Sequence, residues 1–240
     1  MNNTPTAVIT GGTKGIGQAL TEMLIRRGYQ VITSYAHDDT AARALQSQYP
    51  LQLHTCKADH TDRTQTYRFL DYIKSHTNTV HCVISNAGTT IRKPLQETLD
   101  TDWDQMMEVT VNTPFILLRE LYPLISPDSR ILFTGSAMGI YPHATSLGYG
   151  TTKAALHALA RNLVKHFEPK ATTVNVIAPG FVETQWQKDK PQHIRQNICK
   201  KTALHRFATL QEITSAYELC LDNPFINGSV IEVNGGYNYL

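Results

Sequence analysis

Short apolar, β-branched runs alternate along this chain with longer stretches in which apolar residues return every three or four positions. The runs fall at residues 7–9, 31–33, 51–54, 80–84, 131–133, 173–177 and 229–233, each with the length and composition of a buried strand. The longer stretches, residues 18–27, 64–75, 103–121, 149–167 and 210–221, carry the helical period. This succession predicts an α/β fold, a doubly wound parallel sheet of about seven strands with helices on both faces. Neither a linker, a repeat nor a low-complexity tract interrupts it, so residues 1–240 read as one domain. Residues 181–202 depart from the alternation, being polar, rich in lysine and glutamine, and carrying Trp186 and Pro191. An ordinary surface excursion has this composition. The place of the segment, between a strand end and the next helix, also makes it a candidate substrate lid over the carboxyl edge of the sheet.

Composition narrows the function. Hydrophobic residues make up 41% of the chain and charged residues 18%, with a net charge of +2. That balance argues against disorder and against a general nucleic-acid surface, and points to a small-molecule partner. Cys56, Cys82, Cys199 and Cys220 lack the C-x-x-C spacing of zinc or redox sites, so free thiols and no metal are expected. With no run of eighteen apolar residues, and with residues 1–6 leading almost directly into an apolar strand, a cytoplasmic protein with no membrane association is expected.

Three places carry candidate chemistry. Thr10-Gly11-Gly12-Thr13-Lys14-Gly15-Ile16-Gly17 lies between the first strand and the first helix, where glycines let backbone N–H groups approach a pyrophosphate at the positive end of a helix. Its spacing, G-x-x-x-G-x-G, differs from the G-x-G-x-x-G dinucleotide fingerprint. Tyr149 and Lys153 stand four residues apart and so share one helical face. Many amphipathic helices carry that pair as a surface contact. Here Ser136 precedes it by thirteen residues at the end of a strand, which places a hydroxyl opposite the phenol. An ammonium beside Tyr149 favours the phenolate and lowers its pKa toward the working range, making it an acid for an alcohol oxygen.

Taken together, residues 10–17, Ser85-Asn86-Ala87-Gly88, Ser136, Tyr149 with Lys153, and Pro179-Gly180-Phe181-Val182-Glu183-Thr184 resemble the short-chain dehydrogenase/reductase family over essentially the whole length. Within it the chain looks most like the 3-oxoacyl-[acyl-carrier-protein] reductase and acetoacetyl-CoA reductase group, through residues 175–184, His205-Arg206-Phe207 and residues 227–236. Related alcohol and sugar dehydrogenases share much of this pattern. The resemblance implies a Rossmann-type sheet, a nicotinamide cofactor and an oxidoreductase of fatty acid biosynthesis. Its substrate would be a 3-oxoacyl thioester on acyl carrier protein or coenzyme A, and its assembly a homotetramer. It implies that Thr10, Gly11, Thr13, Lys14, Gly15, Ile16 and Gly17 meet the phosphates and that Asp59 and His60 meet the adenine. Asn86, Ala87 and Gly88 would line the nucleotide, while Pro179, Gly180, Val182 and Thr184 would hold the nicotinamide end. Ser136, Tyr149 and Lys153 would carry the catalysis. Met138, Tyr141 and Trp186, with His143, would border the substrate.

Two departures matter. Family members using NAD place an acid at the end of the second strand, where it accepts hydrogen bonds from the ribose. Tyr35 occupies that place, and with Lys14 and His37 close in sequence the expected cofactor is NADP(H). Asp38 and Asp39 are alternative ribose acids, with helix capping as their ordinary role. The family also carries an asparagine seven residues beyond a tryptophan, which helps order a water between the lysine and solvent. From Trp103 that count lands on Thr110. Asn112, two residues on, would point about 200° away on an ideal helix. A threonine retains the main-chain carbonyl, so catalysis is expected to survive; a nucleotide-binding sensor or scaffold of the same fold is the alternative this departure opens.

Overall fold

The structure is a computed structural model that describes residues 4–142, 147–188 and 190–237. In chain order the elements are β1 (Thr6–Ile9), α1 (Gly15–Arg26), β2 (Gln30–Tyr35), α2 (Asp39–Gln48), β3 (Leu53–Lys57), α3 (Arg63–His76) and β4 (Val80–Ser85). There follow α4 (Asp100–Met107), α5 (Thr113–Leu121), β5 (Ile125–Thr134), α6 (Leu147–Phe167) and β6 (Thr173–Pro179). The last are α7 (Gln185–Lys188), α8 (Gln192–Lys200), α9 (Leu210–Asp222) and β7 (Val230–Val233). The seven strands form one sheet in the order β3-β2-β1-β4-β5-β6-β7, and every neighbouring pair runs parallel. This is the Rossmann order extended by one strand.

Alternation along the strands explains the layers. Val8, Val83, Ile131 and Val174 face one core with residues of α3, α5 and α6. Ala7, Ile9, Cys82 and Leu132 face the other with residues of α1, α2 and α9. Successive residues of a strand point to opposite faces, so a strand buried on both sides reads as an unbroken apolar run.

Three expected boundaries move. The third strand begins at Leu53, because Gln52 and Leu53 both donate to the Tyr49 carbonyl and close a turn that leaves Leu51 77% exposed. The fifth strand starts earlier than expected; Asp128 takes a positive φ of 57° and the β4 pairing shifts register between Val80 and Cys82. The stretch expected as one helix over residues 103–121 is two helices joined by a π turn, Glu108–Asn112. Pro114 supplies the reason, since it has no N–H to give the Thr110 carbonyl and its ring crowds that position. Among the described residues no helix is long and apolar enough to cross a membrane, and no group of three or more histidine, cysteine or acidic side chains gathers as a metal site.

Residues 181–202 fold as α7 and α8 between two isolated bridges, Val182 with Ala208 and Thr202 with Tyr237. The next helix, α9, is set by a capping box. Thr209 Oγ1 accepts the Glu212 N–H at 3.2 Å, and the Glu212 carboxylate accepts the Thr209 N–H at 2.8 Å. Arg206 grips the same carboxylate. Replacing Thr209→Ala removes one half of the box and is expected to lower stability by about 1 kcal/mol, read as a lower urea midpoint with an unchanged slope.

Candidate active site

The turns after β1, β2, β3, β4, β5 and β6 meet at a cavity of about 720 Å³ on the carboxyl edge of the sheet, where the strand order reverses between β1 and β4. Doubly wound sheets bind their ligands at this switch point. Gly11 lies in the left-handed region at φ 67°, and a Cβ on Gly17 would stand 2.0 Å from the Gly11 carbonyl oxygen. Only glycine lets α1 begin this close to the end of β1. Gly11, Lys14, Gly15, Ile16 and Gly17 line the cavity. Thr10 and Thr13 are buried behind it.

Thr10 instead ties strand ends together. Its hydroxyl accepts the N–H groups of Asn86 and Ala87, each at 3.0 Å. The Asn86 amide donates to the carbonyls of Thr10 at 3.2 Å and Gly11 at 3.0 Å, and its oxygen accepts from Thr134 Oγ1 at 3.1 Å. Asn86, Ala87 and Gly88 therefore form a wall braced on both sides, with Thr134 and Gly135 beside it. Opposite lie Pro179, Gly180, Val182 and Thr184, followed by Gln185, Trp186 and Gln187 of the segment expected as a lid.

The catalytic candidates converge. Ser136 caps the short turn Ala137–Gly139, its hydroxyl accepting from Met138 N–H at 3.1 Å, and the same side chain acts to lower the pKa of the Tyr149 phenol. The Ser136 N–H points at Nε2 of the buried His157 at 3.4 Å. Lys153, 3% exposed, donates its ammonium to the Thr134 carbonyl at 2.6 Å. Burial pulls its pKa down to about 8. Tyr149 does not follow expectation: desolvation raises its pKa, outweighing the Ser136 side chain and the Arg92 charge, which act to lower it. Lys153 Nζ is held by Thr134 and stands 5.6 Å from the Tyr149 ring centre, and burial, not this charge, decides the direction in which the phenol shifts.

At the other end, Tyr35 and Asp59 line the cavity with His37. Burial, with Asp39 acting in the same direction, raises the pKa of the Tyr35 phenol, and Asp39 pairs with Lys57 at 2.9 Å. Asp38 caps α2 through the Ala41 N–H and pairs with Lys14 at 2.7 Å. His60 sits in the wall but is mostly structural; its ring bridges Ser34 at 2.8 Å and Thr66 at 3.0 Å, and burial lowers its pKa to about 4.

Other expected residues lie off the wall. Met138 lies within the Ala137–Gly139 turn that packs on α6 and Tyr141 just after it, and neither borders the cavity. His143 lies outside the described residues. Thr110 is 1% exposed and its hydroxyl meets no hydrogen-bond partner among the described residues. It lies within the π turn rather than on an ideal helix, and Asn112 is engaged by Glu108 at 2.7 Å. The structure adds Thr134, Gln105, Val109 and Gln187 to the wall. Thr134, two residues before Ser136 at a strand end, carried a readable signal; the glutamines carried none.

The sequence profile of the short chain dehydrogenases matches residues 5–195. The chain is 28% identical to the 3-oxoacyl-[acyl-carrier-protein] reductase of Salmonella typhimurium, over 96% of each chain. It is 28% identical to the 2-dehydro-3-deoxy-D-gluconate 5-dehydrogenase of Pseudoalteromonas atlantica, over 96% of this chain and 94% of that one. A short-chain dehydrogenase/reductase structure from Serratia marcescens superposes with a TM-score of 0.91 at 25% identity, covering 98% of both chains.

The depressed pKa of Lys153 has a signed consequence for stability. Between about 8 and the unfolded value near 10.4, the unfolded chain binds more protons, so stability rises with pH across that window and the penalty of the buried ammonium is full below it. Lys153→Met is therefore expected to be more stable than the natural protein at pH 7 by about 3 kcal/mol. The difference should shrink toward pH 10, as measured by chemical denaturation at both pH values.

Proposed function

The chain belongs to the short chain dehydrogenase family, and from that premise we propose that it is an NADP(H)-dependent oxidoreductase that reduces the carbonyl of a 3-oxoacyl thioester to an alcohol. One observation carries the reaction class. A serine hydroxyl near enough to a tyrosine phenol to act on its pKa, with a buried lysine beside them, opens on one cavity with a glycine turn.

The residues fit a nicotinamide dinucleotide. A Cβ on Gly88 would stand 3.4 Å from Lys153 Nζ, and one on Gly15 would stand 3.6 Å from Thr184. The glycines thus leave open the space between the two walls and in front of the ammonium. Gly11, Gly15 and the first N–H groups of α1 suit the phosphates, Asn86 to Gly88 and Lys153 the ribose, and Val182 with Thr184 the carboxamide. When bound, the cofactor supplies the hydride. Ser136 and Tyr149 hold the carbonyl oxygen between two hydroxyls, stabilising the charge that develops there. A phenol whose pKa is raised keeps its proton at neutral pH, and this is the form needed to deliver that proton from Oη to the new alkoxide. Lys153 holds Tyr149 and the ribose in one place.

The thioester reading is supported by the near full-length similarity to the Salmonella reductase. A hydroxylated carbonyl such as a sugar acid is the second reading, favoured by the polar side chains of Thr89, Gln105, Gln185 and Gln187 on the cavity wall. Acetoacetyl-CoA and a panel of sugar-acid ketones, assayed with NADPH, separate the two. In either case Tyr149→Phe should retain nucleotide affinity and lose at least a hundredfold in kcat, about 2.7 kcal/mol of barrier; near-normal turnover would remove Tyr149 from the mechanism.

Preference for NADPH is supported by Tyr35 in the place of a ribose acid, and by the commitment of Asp38 and Asp39 to lysines and to a helix cap. Titration at physiological salt should show NADPH binding at least tenfold tighter than NADH, and Tyr35→Asp should narrow the gap. Equal or tighter binding of NADH by the natural protein would overturn the preference.

A further inference from the structure

Tyr217 lies on α9, outside the cavity wall and wholly shielded from solvent. A phenol buried this deeply needs a hydrogen-bond partner, and it has one in Thr134 Oγ1 at 2.6 Å. The direction of that bond follows from its neighbours. The Asn86 amide hydrogens are committed to the carbonyls of Thr10 and Gly11, so its Oδ1 accepts, and the single hydroxyl hydrogen of Thr134 goes to it. Thr134 then has only lone pairs to offer, and the Tyr217 O–H donates into them. The result is an ordered chain from Tyr217 to Thr134 to Asn86 to the glycine turn. From the same Thr134, the main-chain carbonyl accepts the Lys153 ammonium at 2.6 Å.

We propose that Tyr217 is a positioning residue of the nucleotide site, acting through Thr134 to fix Asn86 and Lys153 together. Threonine has more than one accessible rotamer, and a donor from α9 selects the one that serves Asn86. One rigid residue then sets both the wall of the cavity and the point to which the lysine is moored. Because the chain is buried and fully paired, each bond in it strengthens the next. The proposal rests on the reading of the cavity as a nicotinamide nucleotide site.

A phenylalanine at 217 fills the same core volume, so packing and hydrogen bonding are separable. NADPH affinity, measured by fluorescence titration alongside the denaturation midpoint, decides between them for five proteins: the natural chain, Tyr217→Phe, Thr134→Val, the double variant and Thr134→Ser. Each of Tyr217→Phe and Thr134→Val should weaken NADPH binding by roughly tenfold, as loss of one buried hydrogen bond allows. The double variant should be no weaker than the weaker single variant, since both break the same chain, and Thr134→Ser, which keeps the hydroxyl, should bind within about twofold of the natural protein. A folded Tyr217→Phe that binds NADPH as tightly as the natural protein, with only its midpoint lowered, would make Tyr217 a core residue and nothing more. Should Tyr217→Phe fail to fold, Thr134→Val decides, and unchanged binding there overturns the proposal. A natural protein that binds neither NADPH nor NADH overturns the nucleotide reading, and the proposal with it.

Discussion

Lys153 is taken almost completely out of water, and an ammonium so placed persists only if it finds an oxygen to replace the lost solvent. The oxygen it finds is a main-chain carbonyl at the end of β5, held by a strand hydrogen-bonded on both sides within the sheet. The rest of the site is arranged around this mooring. It fixes the start of α6 relative to the sheet, and with it Tyr149 one turn earlier on the same helical face. It also fixes the turn that presents Ser136, which is pinned from behind by His157 from the following turn of α6.

Around the same point the strand ends are laced by side chains rather than by the ladder. Parallel strands stop donating to one another where the chain leaves the sheet, and at this edge the hydroxyls of Thr10 and Thr134 and the amide of Asn86 take over. Such a lacing pre-orders the cavity, because the groups that would otherwise turn to follow a ligand are already committed to one another. The end of the cavity lined by Tyr35, His37 and Asp59 is built differently. There, exposed ion pairs between Lys14 and Asp38 and between Lys57 and Asp39 are weak and screened by salt, leaving that rim the more adaptable part of the cavity.

Much of this was legible in the sequence because parallel strands buried on both faces leave apolar runs, and because a glycine turn, a strand-end serine and a Tyr-x-x-x-Lys pair each carry a local signature. What was not legible depends on contacts between distant segments. Thr134 and Tyr217 are 83 residues apart, and Tyr217 occupies an apolar helical position where its hydroxyl sends no signal. The fate of the Tyr149 proton was misread because a spacing of four brings two side chains together without saying which other oxygen the lysine prefers. Leu51 counted as strand because apolar character alone does not reveal a turn closed on the Tyr49 carbonyl.

Pro114 could have been read for the break in the helix over residues 103–121, and the π turn it accompanies has a consequence for how this part of the molecule can be altered. Each residue advances an α-helix by about 100°, so the face that Ile116, Leu117 and Leu118 turn to the core is set by the wide turn before them. Five residues at the spacing of a π turn sweep nearly the angle that four residues of α-helix sweep, so deleting one residue within 108–112 would restore an ordinary helical count and leave that face toward α3 and α6. The wide turn thus takes up one extra residue locally, and the two short helices keep the facing they would have as one regular helix.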